Sequence, residues 1–139
     1  MAWLYLARLQ CVRSGRWPDP AQSYVRVSPI SGSDPNTESQ DWGPFSMNNG
    51  DWVDLAALAS SPSEFAGRIA ITMWEQAKDG SYIELGTRHI QEESDKDAGL
   101  LEVDFRPRSL PITSRAEYVL TYWVASGPAT ETPTMPPKS

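Results

Sequence analysis

Gly67-Arg68-Ile69-Ala70-Ile71-Thr72-Met73-Trp74-Glu75, residues 67–75, decides the fold class. Ile69, Ile71 and Met73 occupy one side of a period-two alternation, and Arg68, Ala70, Thr72 and Trp74 occupy the other. That period is the signature of a strand, and apolar groups on both sides predict a central position in a sheet. Downstream, Lys78-Asp79-Gly80-Ser81 reads as a loop, Tyr82 to Gln91 as a strand bent or bulged at Gly86, and Glu92 to Asp97 as a solvated acidic loop. Gly99 to Phe105 alternates again, with Leu101, Val103 and Phe105 inward, until Pro107 ends it. Tyr118 to Ala125 sets Tyr118, Leu120, Tyr122 and Val124 against Val119, Thr121 and Trp123, so both of its faces are expected to be partly covered.

Upstream, Ala2 to Val12 alternates as a first strand with Cys11 inward beside Leu9, and residues 14–20 hold two prolines and a glycine in a loop. Ser23 to Ile30 resumes the β pattern. Residues 31–36 are turn chemistry, and the segment through Trp42 reads as a short polar strand. The Asn49-Gly50 pair predicts a hairpin between Phe45–Met47 and Trp52–Leu55. Ser61 and Glu64 have capping-box spacing with Pro62 between them, which predicts one short helical turn. The sum is seven or eight short strands separated by turn signals: an all-β, antiparallel two-sheet sandwich over residues 1–126, with a barrel as its competitor, followed by a disordered Pro/Thr-rich tail over 127–139.

Composition narrows the function classes. The 139 residues carry a net charge of -6 and no long basic run, which argues against nucleic-acid binding and against peripheral docking on anionic lipid. With Cys11 the one cysteine and His89 the one histidine, neither an internal disulfide nor a Cys/His zinc set can form. Met1 to Cys11 lacks the basic leader and long apolar region of a signal peptide, and no stretch approaches the ~20 apolar residues of a transmembrane helix. The expectation is a soluble, acidic, cytoplasmic chain, export by a partner aside.

Three segments resemble a C2-type β-sandwich. Asp19-Pro20 before Ser23-Tyr24-Val25-Arg26-Val27 is similar to the family's acidic loop and "DPYVKV" strand. Arg68 to Glu75 followed by Asp79 to Gly86 is similar to its "L-x-V-x-V-W-D-x-D" strand, acidic loop and "D-x-I-G" restart, and Tyr118 to Val124 fits the closing strand. The resemblance implies a binding domain for lipid or protein, and a calcium site of converging loop carboxylates that would draw on Asp19, Glu75, Asp79 and Glu84. Ala77 and Ser81-Tyr82 stand where further acids belong, so the set is degenerate and no cofactor is expected.

No catalytic constellation is legible. A nucleophile would need His89 as its base, the acids of residues 92–97 read as a solvated loop, and no glycine-rich phosphate loop is present. The tryptophans are the informative side chains. Trp3, Trp74 and Trp123 lie on strands and read as core, whereas Trp17, Trp42 and Trp52, with Asn49 and Asp51 nearby, lie in or beside loops and form the candidate contact set. The expected function is a non-catalytic binding or assembly module whose loops contact another protein. The alternative is a lectin-like sandwich whose loop tryptophans stack on a sugar.

Overall fold

The computed structural model describes residues 2–15, 20–29, 39–55, 63–77, 79–106 and 116–126. Strands β1 (Ala2–Arg13), β2 (Ala21–Pro29), β3 (Gln40–Met47), β4 (Trp52–Asp54), β5 (Ser63–Phe65), β6 (Arg68–Gln76), β7 (Tyr82–Gln91), β8 (Leu101–Phe105) and β9 (Glu117–Ala125) form two sheets, with one short helix, α1 (Glu92–Asp95), after β7. The first sheet has the order β4-β1-β9-β8, with β5 also pairing β1, and the second has the order β3-β2-β6-β7. Every strand-to-strand pairing is antiparallel. The fold is therefore the two-sheet antiparallel sandwich expected from the sequence, with nine strands among the described residues rather than seven or eight, and β6 is central as its alternation predicts. The predicted tail lies outside the described residues.

The core fills the gap between the sheets. From the first sheet come Leu4, Leu6, Leu9, Cys11, Tyr118, Leu120, Tyr122 and Val124, and from the second Val25, Val27, Ile69, Ile71, Met73, Leu85 and Ile90. Each large side chain withdrawn from water in this way stabilises the fold by roughly 1.5–3 kcal/mol before the entropy of ordering is subtracted.

Three local expectations change. The first concerns β1, where the pairing with β9 shifts register between Leu6 and Arg8. This bulge reverses the alternation, so Leu4 and Leu6 face inward before it and Leu9 and Cys11 after it, leaving Trp3 and Tyr5 on the outer side. The second concerns residues 45–55, which are not a hairpin: β3 pairs β2 in one sheet and β4 pairs β1 in the other. Asp51 N–H bonds Asn48 O at 3.0 Å, and within this turn only Gly50 has positive φ, at 86°. Positive φ confined to that place marks a type II turn rather than the type I′ turn that closes tight hairpins, and the chain crosses between sheets here. The third concerns Ser63 and Glu64, which pair with Leu4 and Trp3 in β5 instead of opening a helical turn, so backbone pairing to β1 overrides the capping-box spacing; Ser61 and Pro62 lie outside the described residues.

Gly43 is required where it stands. Its φ is +110°, and a Cβ there would lie 2.8 Å from the carbonyl oxygen of Ser23, so no other residue lets β3 approach β2 this closely. At the far edge of the second sheet, Arg88 of β7 sits opposite Ile71 on the inner side. Its guanidinium donates to Asp104 O of β8 at 2.9 Å and lies 5.9 Å from the Phe105 ring centre, tying the two sheets together.

Candidate functional site

The loop end of the sandwich, where the sequence places most of the candidate residues, is built around a buried polar network. Glu75 continues the inward alternation of Ile69, Ile71 and Met73, and Tyr118 begins that of Leu120 and Tyr122, so the two meet between the sheets. Tyr118 OH donates to Glu75 Oε2 at 2.6 Å. Ser23 Oγ lies 2.6 Å from the same phenol oxygen, and because the phenol proton is committed to the carboxylate, Ser23 is the donor. Gly15 N–H adds a bond to Glu75 Oε2 at 3.2 Å. Burial, then the hydrogen bond to Glu75, holds the Tyr118 hydroxyl protonated well above the usual phenol range. The thiol of Cys11 is pushed up to about 11, first by burial, so it stays a neutral thiol.

The turn of residues 48–51 is stitched to the end of β1. Asn49 Oδ1 accepts Ser14 N–H at 2.7 Å and Asp51 Oδ2 accepts Asn48 N–H at 2.9 Å. Cys11 N–H bonds Asp51 O at 2.8 Å, and Gly50 N–H bonds Cys11 O at 2.7 Å. The side chains expected to meet a ligand are thus already shaping their own turn.

The three described acids of the calcium set, Glu75, Asp79 and Glu84, do not converge. Glu75 is inside and serves the network, whereas Glu84 pairs in register with Trp74 on the outer side of the second sheet and accepts Thr87 Oγ1 at 2.9 Å. Asp79 caps its own loop, accepting Ser81 Oγ at 2.6 Å and Ser81 N–H at 2.9 Å, and the Ser81 hydroxyl followed by its amide holds the Asp79 carboxyl below its usual range. Asp19 and Trp17 lie outside the described residues. Among the described residues no group of three His, Cys, Asp or Glu side chains could hold a metal ion.

The tryptophans depart from the sequence expectation at Trp42, Trp3 and Trp74, whereas Trp52 lies outside the core as expected and Trp123, though on an outer side, is buried as expected at 6% exposure. Trp42 is 7% exposed and belongs to the core. Trp3, Trp74 and Trp123 lie outside the core cluster, on the outer sides of the sheets. Along the outer side of the first sheet, Tyr5 and Trp123 stack at 4.7 Å with their planes 5° apart, Trp3 is half-buried at the end of the row, and Arg8 lies 4.6 Å over the Trp52 ring. Trp52 pairs in register with Gln10, and Val12, beyond it on the same side, is 42% exposed. A strip containing Trp3, Tyr5, Trp123, Arg8, Trp52 and Val12 therefore runs the length of β1 and ends beside the 48–51 turn. Of the loop set, Trp52 joins this strip and Asn49 and Asp51 border it. Sequence reasoning missed Trp3, Tyr5 and Arg8 because the bulge reverses the alternation, and the unequal spacing of leucines at 4, 6 and 9 was the available signal.

The outer side of the second sheet differs. Tyr24 stacks on Trp74 at 5.9 Å and meets Tyr82 edge-on at 4.9 Å, and the remaining surface is polar, with Arg26 Nε bonding Asp41 at 2.8 Å and Thr72 bonding Thr87 at 3.0 Å.

No family model and no curated protein matches the chain. No helix among the described residues is long and apolar enough to cross a membrane. Among solved structures the chain is similar to the C2A domain of plant Extended Synaptotagmin 1, at 11% identity over 94% of this chain and 95% of that one, with a TM-score of 0.48.

Proposed function

We propose that the chain is a non-catalytic binding and assembly module that takes a protein partner on the outer side of its first sheet, from Trp3 and Tyr5 through Arg8 to Trp52 and the adjoining Asn49–Asp51 turn. The observation that carries this reading is the gathering of Trp, Tyr and Arg side chains along β1 outside the core, where packing between the sheets does not require them. These three residue types dominate the energetic centres of protein interfaces, Trp and Tyr because they bring large rigid areas with few rotamers to order, and Arg because its planar guanidinium stacks on rings and donates several hydrogen bonds at once. The reading shifts the contact from the loops alone to a face that includes one loop. A protein fits this surface better than a sugar does. Arg8 occupies one face of Trp52, and Tyr5 and Trp123 occupy one face of each other, which reduces the ring area open to a pyranose. A protein partner accepts ring edges and a guanidinium as readily as open faces.

The test is quantitative co-purification from the native host with the tagged wild-type chain, a Trp3→Ser/Trp52→Ser variant and a Tyr24→Ser/Tyr82→Ser control, each checked for folding by circular dichroism. Loss of an interface centre worth at least about 2 kcal/mol lowers affinity roughly 30-fold, so the partner is lost from the first variant and kept by the control. A folded first variant that retains its partner, or a control that loses it, overturns the proposal. Binding on a glycan array that the first variant abolishes would transfer the same face to a carbohydrate.

A further inference from the structure

We draw no further inference here: the strongest candidate, the aromatic patch of Tyr24, Trp74 and Tyr82 on the outer face of the second sheet, carries nothing, because nothing in the structure shows what covers it.

Discussion

Both sheets turn aromatic side chains outward, but they differ in the ionisable groups that they turn inward. The first turns aromatic side chains outward and puts three ionisable groups, Cys11, Tyr118 and Tyr122, on its inner side. The second faces the core with Val25, Val27, Ile69, Ile71 and Met73, admits Ser23 and Glu75 at one end and Arg88 at its edge strand, and carries an outer side that is polar apart from Tyr24, Trp74 and Tyr82. Interiors tolerate phenol and thiol groups because these are neutral at physiological pH and need few partners, whereas the carboxylate of Glu75 requires the hydroxyl and amide it has. The contrast separates residues that hold the sandwich together from those on its outer sides.

The largest effect belongs to a tryptophan that faces the core. Trp42→Ala is expected to cost about 3–5 kcal/mol in urea unfolding, while Trp52→Ala, half-exposed on the other sheet's outer side, costs about 1 kcal/mol or less. Equal losses would erase the distinction between inner and outer tryptophans.

Next comes alkaline pH. Burial raises the Cys11 thiol from 9.0 to about 11, and burial with Asp95 nearby raises the Tyr122 phenol from 10.0 to about 12. Both groups are harder to ionise when folded, so as pH rises the unfolded chain gives up its protons first. Their stabilising effect is complete below pH 9 for Cys11 and pH 10 for Tyr122, and is lost progressively up to about 11 and about 12. Two pH units correspond to roughly 2–3 kcal/mol for each group. Urea unfolding measured at pH 8 and pH 11 should show the decline, and Tyr122→Phe should make it shallower above pH 10. Stability that rises over this range would contradict the placement of these groups inside the first sheet.

A smaller loss is expected from Tyr118→Phe, which keeps the ring but takes one hydrogen-bond donor from Glu75 and leaves Ser23 without its acceptor. The cost is about 1–3 kcal/mol, read by urea unfolding, and restoring the wild type's stability by adding Glu75→Leu would show that the buried carboxylate is the source. Smallest is Trp74→Phe on the outer side of the second sheet. The indole N–H of Trp74 is buried without an acceptor among the described residues, so deleting it offsets the lost ring area and the change stays within about 1 kcal/mol. A loss above 2 kcal/mol would mean that Trp74 packs like a core residue.

Much of this architecture was legible in the chain. The alternations of β6, β8 and β9 give the inward sets Ile69/Ile71/Met73, Leu101/Val103/Phe105 and Tyr118/Leu120/Tyr122/Val124, because a period of two survives wherever a strand is regular. The same phase carries Glu75 and Tyr118 inside, where they satisfy one another, although the C2 resemblance places Glu75 in a calcium set. What local pattern could not convey was an interruption of the phase, as at the β1 bulge, or the choice of partner strand, as at the 48–51 turn, where an Asn-Gly pair serves a crossing between sheets. Both depend on contacts far along the chain. The candidate site suffered most from this, because a single extra residue exchanges the inside and outside of half of β1.

Arg88 links the outer rims of the two layers, and its direction bears on solubility in crowded conditions. A fibril-like stack of copies would set successive β7 strands about 4.8 Å apart and align their guanidinium groups within an apolar seam. Each would have to give up its bond to Asp104 O and face a like charge in a medium that solvates neither. One cation turned toward the interior therefore makes runaway strand addition costly along a ten-residue edge that is otherwise long enough to invite it.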